Sequence, residues 1–210
     1  MPDATPVVFV VDDDDSVRRA LKLLVDSAGW LSRLFATAQE FLVCPRVQAP
    51  SCLVLDIGLP DLNGLELQKR VAIERGDMPI IFITGHCDVP MSVQAMKAGA
   101  VEFLIKPFDH EVLLRAIANA IERSRLALGV EIERQTLRAE YEALSRRERE
   151  VMGLVASGLL NKQVGGQLGI SEITVKAHRG QVMRKMEANS FADLVTKAAK
   201  LGLSSLRKST

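Results

Sequence analysis

Along the first part of the chain, apolar residues gather in short runs bounded by turn residues: Val7–Val11, Leu31–Phe35, Cys52–Leu55, Ile80–Ile83 and Val101–Ile105. The segments between them have a different period. Val17, Ala20, Leu21, Leu24, Val25 and Ala28 recur at the spacing of one helix face. Thr37-Ala-Gln-Glu40 has the form of a capping box, in which hydroxyl and carboxylate each satisfy a backbone N–H at a helix start. Leu65–Arg75 and Asp88–Lys97 supply two more helical stretches, and Phe108 opens a fifth. Strands alternating with helices predict an α/β domain built on a parallel sheet. Runs that stay apolar at successive positions predict a sheet covered on both faces.

From Phe108 the helical spacing scarcely stops: Leu113, Ile117, Ala120 and Ile121 are followed by Leu126, Leu128, Ile132 and Leu137. Gly129 disfavours helix by about 1 kcal/mol relative to Ala, which a long helix tolerates, and no Pro occurs beyond Pro107. The fifth helix is therefore expected to run into a helical linker.

Beyond it, four capped helices are legible. Ser145-Arg-Arg-Glu148 is a second capping box, Asn161 is a candidate N-cap for a short helix closed by Gly169, Ser171 caps a third helix reaching about Met186, and Ser190-Phe-Ala-Asp193 opens the fourth. Only Leu-Gly-Ile-Ser separates the second and third, which is the tight turn of a helix-turn-helix. On the third helix Ile173, Val182, Met183 and Met186 are assigned to the core, leaving Thr174, Val175, Lys176, His178, Arg179, Arg184 and Lys185 as a largely basic face. Gly165-Gly166 in the short helix predicts either a soft helix or a close approach. The expected organisation is residues 1–122, a linker at 123–142, and an all-α domain at 143–210.

Charge sharpens the division. Residues 1–125 carry 13 Lys/Arg against 17 Asp/Glu, whereas residues 141–210 carry 12 against 6, so a formal net charge of +1 hides an acidic front and a basic back. A basic domain implies a polyanionic partner. The three cysteines, Cys44, Cys52 and Cys87, have neither CxxC nor zinc-ligand spacing and read as reduced thiols. No apolar run approaches a membrane span and the N-terminus lacks the pattern of a signal peptide, so a cytoplasmic protein without a membrane partner is expected.

In open parallel sheets, ligands bind beyond the carboxyl ends of the strands. The residues there are Asp12 to Asp15 after the first run, Asp56 after the third, Thr84 at the end of the fourth and Lys106 after the fifth. Clustered carboxylates suit a hard, oxygen-seeking cation such as Mg²⁺, and a lysine with a hydroxyl suits a phosphate. The combination reads as phosphoryl chemistry.

Asp12-Asp13, "CLVLDIGLPDLNG" with Asp56, "FITG" with Thr84 and "VEFLIKPF" with Lys106-Pro107 resemble the receiver domain of two-component response regulators. That family's fold is flavodoxin-like, with a five-stranded parallel sheet. The resemblance implies that Asp56 is the phosphoacceptor for a sensor histidine kinase. It implies that Asp12, Asp13, Asp56 and the backbone carbonyl of Gly58 hold Mg²⁺, that Thr84 and Lys106 hold the phosphoryl oxygens, and that Phe103 is the switch aromatic. A cis Lys106-Pro107 bond is also implied. "LSRREREVMGLVASG", "NKQVGGQLGIS" and "TVKAHRGQVMRKM" resemble the LuxR-type helix-turn-helix, which together with the receiver gives a regulator of the FixJ/NarL type. By that resemblance Lys176, Ala177 and Gly180 face base edges of double-stranded promoter DNA. Asn161, Lys162, Thr174, His178 and Arg179 lie near its backbone, with Ser171 and Arg184 in the same interface. Phosphorylation would favour a homodimer that activates transcription, with RNA polymerase as a further partner, and the receiver would assist its own dephosphorylation without being an enzyme in the ordinary sense. Two other readings stay open: a constitutive DNA binder with an unphosphorylated docking receiver, and a Mg²⁺-dependent phosphatase using Asp56 as nucleophile.

Overall fold

The computed structural model describes residues 4–85 and 89–203, so Cys87 and the expected helix start at Asp88 lie outside the described residues. The chain divides into two compact units, Met1–Val130 and Glu131–Thr210. The division falls inside the segment 123–142 expected as linker.

In the first unit, β1 (Val7–Val11), β2 (Leu31–Phe35), β3 (Ser51–Asp56), β4 (Ile80–Thr84) and β5 (Glu102–Ile105) alternate with α1 (Asp15–Ser27), α2 (Ala38–Val43), α3 (Gly64–Glu74), α4 (Val89–Lys97) and α5 (His110–Glu142). All pairings are parallel and the strand order is β2-β1-β3-β4-β5. Because side chains alternate across a strand, the sheet divides the apolar residues between two layers. Phe9, Val11, Leu53, Leu55 and Phe82 pack with Phe41, Leu67 and Val71. Val8, Val10, Val54, Ile81 and Ile83 pack with Leu21, Val25, Leu113 and Ile117. The three central strands are buried at every position, as continuous apolar runs require. At the edges the expectation of full coverage fails. Leu31 on β2 is 56% exposed and Ile105 on β5 is 51% exposed, since an edge strand has a neighbour on one side only.

The run of four acids after β1 is partitioned by helix α1. Asp14 is its N-cap, accepting from the N–H groups of Ser16 at 2.8 Å and Val17 at 3.4 Å. Those hydrogen bonds, the Ser16 hydroxyl foremost, hold the Asp14 carboxyl below its ordinary value. Asp15 lies in the first turn, where the helix dipole favours an anion, and pairs with Arg18 and Arg19. Asp12 and Asp13 are left for other work.

Helix α5 passes through Gly129 without interruption. Its first part carries Leu113, Ile117, Ala120 and Ile121 into the sheet's second core. Leu137 and Tyr141 belong to the core of the second unit, together with α6 (Arg146–Ala156), α7 (Asn161–Leu168), α8 (Glu172–Lys185) and α9 (Phe191–Lys200). The Ser145–Glu148 capping box forms as expected. The N-cap of α7 is Leu160, not Asn161. Gln163 Oε1 accepts from the Leu160 N–H at 2.8 Å, which leaves the Asn161 side chain free to accept from Arg179 Nη1 at 2.8 Å. The core face of α8 also differs from expectation: Val175 is fully buried with Val182 and Met186, and Ile173 is 80% exposed. No helix among the described residues is long and apolar enough to cross a membrane.

Two features of the second unit generate tests. A Cβ added at Gly165 would lie 2.7 Å from the Ile170 carbonyl oxygen, whereas one at Gly166 meets nothing within 4 Å. Gly165 is where α7 touches the turn leading to α8, and Gly166 only weakens the helix. Gly165→Ala is expected to destabilise this unit by about 1–3 kcal/mol, as overpacking does, while Gly166→Ala stabilises it by up to about 1 kcal/mol. Hydrogen exchange of the α7 and α8 amides checks both.

The second feature is Glu148, which is buried and accepts from Lys185 Nζ at 2.7 Å, tying α6 to α8. That bond, assisted by Ser145, holds the Glu148 carboxyl below its ordinary value. A lowered folded-state value means stability that is fully present above the unfolded value of about 4.3 and lost as pH falls through the folded one. Exchange protection of α6 and α8 is expected to decline with acidification below about pH 4.5. Glu148→Gln should lower it at neutral pH and flatten the acid decline.

Candidate functional site

The strand order reverses between β1 and β3, and the carboxyl ends of these strands bring Asp12 and Asp56 to one edge of the sheet. Asp12 is fully buried, Asp56 is buried and Asp13 is exposed, yet one carboxylate oxygen from each lies within 4.8 Å of the others. Lys106, immediately beyond β5, reaches back to them. Its Nζ donates to Asp12 Oδ2 at 2.6 Å and to Asp56 Oδ2 at 2.8 Å. Burial pushes the Asp12 carboxyl above its ordinary value, although the bond to Lys106 opposes it. Burial would lower the lysine, but the hydrogen bonds it donates to both carboxylates outweigh this and hold Lys106 above its ordinary value. The pocket therefore keeps a protonated ammonium between two carboxylates.

The backbone around the acids is built to hold them. Arg18 Nη1 donates to the carbonyls of Asp12 at 2.7 Å and Asp13 at 2.8 Å, a positioning role that the sequence reading did not assign. The Asp14 N–H donates to Asp12 Oδ1 at 2.9 Å and the Gly58 N–H to Asp56 Oδ1 at 3.0 Å. After β3 the chain folds back so closely that a Cβ at Gly64 would lie 2.9 Å from both the Asp56 carbonyl oxygen and the Ile57 Cα. Glycine is needed there to bring the start of α3 against the loop that carries Asp56.

Thr84 is buried at the end of β4, in register with Ile105, and its carbonyl accepts from the Lys106 N–H at 2.8 Å. The Lys106-Pro107 bond is cis. Phe103 stands apart from the acids: it is half-buried on β5, in register with Phe82, with ring centroids 6.3 Å apart. The acids, Thr84 and Lys106 thus stand at the carboxyl ends of four neighbouring strands, and Phe103 packs against the core layer that contains Phe82.

In the second unit, Ser171 caps α8, accepting from the Thr174 N–H at 3.1 Å. Lys176, Ala177, Gly180 and Arg184 are exposed on the side of the helix away from Val175, Val182 and Met186. Lys162 is exposed on α7, and Thr174 and His178 are half-buried. Arg179 is half-buried too: besides its bond to Asn161, its guanidinium lies 5.0 Å from the Phe191 ring centroid, so it braces α8 against α7 and α9. Lys185 faces Glu148 rather than the outer face.

Comparison with known proteins extends these observations over nearly the whole chain. The response regulator receiver domain family matches residues 8–118, and the family of bacterial regulatory proteins of the luxR type matches residues 142–198. Nodulation protein W of Bradyrhizobium diazoefficiens is 50% identical over 94% of this chain and 87% of its own length. The low-resolution structure of response regulator StyR superposes with a TM-score of 0.85 at 44% identity, covering 94% of this chain and 100% of that one. Full-length FixJ from B. japonicum is 41% identical, with a TM-score of 0.55 and coverage of 94% and 97%. The family regulates transcription and is not a class of ordinary enzymes. An acid-lined receiver followed by a helix-turn-helix implies a sensor kinase on one side and DNA on the other. The chain belongs to the two-component response regulators that join a receiver domain to a LuxR-type DNA-binding domain, and it is a transcriptional regulator.

Proposed function

We propose that this regulator is switched by phosphorylation of Asp56 in a Mg²⁺-dependent reaction, and that the phosphorylated form dimerises and activates transcription from a promoter operator in the cytoplasm. The observation that carries the reading is the cluster of Asp12, Asp13 and Asp56 with Lys106 bonded across it. Three converging carboxylates match the all-oxygen preference of Mg²⁺, and Asp12, Asp13, Asp56 and the Gly58 carbonyl would hold it. Bound there, the ion supplies neutralisation of negative charge on the incoming phosphoryl group.

The chain's own groups do the rest. An Asp56 carboxylate oxygen attacks phosphorus, the new O–P bond forms as the P–N bond to the kinase histidine breaks, and the imidazole leaves with its electron pair. The Lys106 ammonium would exchange a carboxylate contact for a phosphoryl oxygen, and the Thr84 hydroxyl would donate to another. Drawing Thr84 toward the phosphoryl group opens space near Phe103, which is how a local charge would bias a two-state receiver. Water attacking the same phosphorus, assisted by the same groups, would return the carboxylate and end the signal. In the DNA-binding domain, Lys176, Ala177 and Gly180 would face base edges. Asn161, Lys162, Ser171, Thr174, His178, Arg179 and Arg184 would lie along the phosphates, and RNA polymerase would be contacted from the bound dimer.

Sedimentation of the full chain with Mg²⁺, with and without beryllofluoride as phosphoryl mimic, tests the switch. Wild type is expected to shift from monomer to dimer and Asp56→Asn to stay monomeric. Trp30 precedes β2, at the sheet end opposite the acids, so mimic binding is better followed by fluorine NMR than by its fluorescence. A spectrum without bound mimic at any Mg²⁺ concentration would remove the phosphoacceptor assignment. For the DNA face, Lys162→Ala is expected to weaken binding to all duplexes alike and to reduce the salt slope by about 1.

A further inference from the structure

We infer that Ile173 reads the 5-methyl group of a thymine in the major groove and so sets part of the sequence that this regulator selects. The inference rests on α8 entering the groove, as proposed above. Ile173 is 80% exposed in the first turn of α8, where the apolar pattern of the helix had assigned it to the core. The core needs nothing from it: Val175, Val182 and Met186, on the opposite side, are fully buried and complete that face.

Ile173 instead shares a line along the helix with Ala177, Gly180 and Arg184, positions separated by steps of four, three and four residues. All of them are exposed. A Cβ built at Gly180 meets nothing within 4 Å, and Ala177 offers a single methyl. These two small residues form a shallow trough that lets the helix backbone come close to the groove floor. Ile173 is the one large apolar side chain on that line, and Lys176 flanks it, its exposed ammonium 3.1 Å from Glu172.

The chemistry then selects the partner. An isoleucine can neither donate to nor accept from a base edge, and the apolar feature of the major groove is the thymine C5-methyl. Bringing the two together removes both from water. Cytosine and guanine present polar atoms in the same region, which an isoleucine would leave without a partner. Lys176 is suited to the guanine O6 and N7 acceptors, so the two residues would divide the reading between an apolar and a polar contact.

The test uses the full chain with Mg²⁺ and beryllofluoride to select from a pool of random duplexes, comparing wild type, Ile173→Val and Ile173→Ala. Each thymine of the enriched site is then replaced singly by deoxyuridine, which deletes only the methyl. One thymine per half-site is expected whose replacement weakens wild type by about three- to fivefold, the worth of one buried methyl. Ile173→Val should keep that difference, and Ile173→Ala should bind the thymine and uridine duplexes equally and cease to enrich thymine there. If Ile173→Ala enriches the same site and shows the same uridine penalties as wild type, the inference is overturned and the DNA-reading function stands. A loss in Ile173→Ala that leaves every uridine penalty intact overturns it equally, since the side chain would then act elsewhere. A pool from which wild type enriches nothing overturns the function and the inference together.

Discussion

Clustered carboxylates repel one another, and the receiver is organised around the ammonium group that offsets this repulsion. Two like charges about 4 Å apart near a protein surface repel by about 4 kcal/mol, and Asp12, Asp13 and Asp56 are brought within 4.8 Å by the ends of two adjacent strands. Lys106, from a strand two places along the sheet from β3, offsets that repulsion with bonds of 2.6 and 2.8 Å. The rest of the unit serves this arrangement. The parallel register sets the strand ends level, Arg18 fixes the carbonyls of the acid turn, Asp14 starts the next helix, and Gly64 lets the Asp56 loop close. A pocket balanced in this way is sensitive to any added charge, because an incoming anion or cation competes directly with an existing pair.

Much of this was legible from the chain. Strands β1, β3 and β4 are continuous apolar runs because they are central in the sheet, so their ends, and the residues after them, could be located without coordinates. The acids of the pocket were placed by that logic together with the family resemblance. What escaped depends on tertiary phase. Ile173 and Val175 lie on opposite sides of α8, and in a helix whose apolar residues are spread around the axis nothing local says which side meets the core. The larger and more apolar residue was the natural choice, and it is the one left in solvent. Asn161 has the chemistry of a cap, but Gln163 satisfies the Leu160 N–H and Asn161 is used by Arg179, a partner on another helix.

Charge counting overstated the basic face for a related reason. Of the basic residues in the second unit, Lys185, Lys197 and Lys200 are paired with Glu148, Glu140 and Glu133, and Arg179 is held by Asn161 and Phe191. A charge that braces one helix against another still contributes to the field felt by a polyanion, while its side chain is also committed to the scaffold. Among the described residues of α7 and α8, Lys162, Lys176 and Arg184 are exposed, and the ion pair of Lys176 is with Glu172 on its own helix.

Helix α5 contributes Leu113 and Ile117 to one core and Leu137 to another. Starting a helix is the unfavourable step and extending it is not. The N-terminal unit leaves the ribosome first. Once its sheet has gathered, the early turns of α5 are already wound, and residues after Val130 can add to an existing helix instead of nucleating their own. The second unit then begins its folding with one wall in place. Order of synthesis thus becomes order of assembly, and a break in α5 near Gly129 would slow the second unit without touching any of its own contacts.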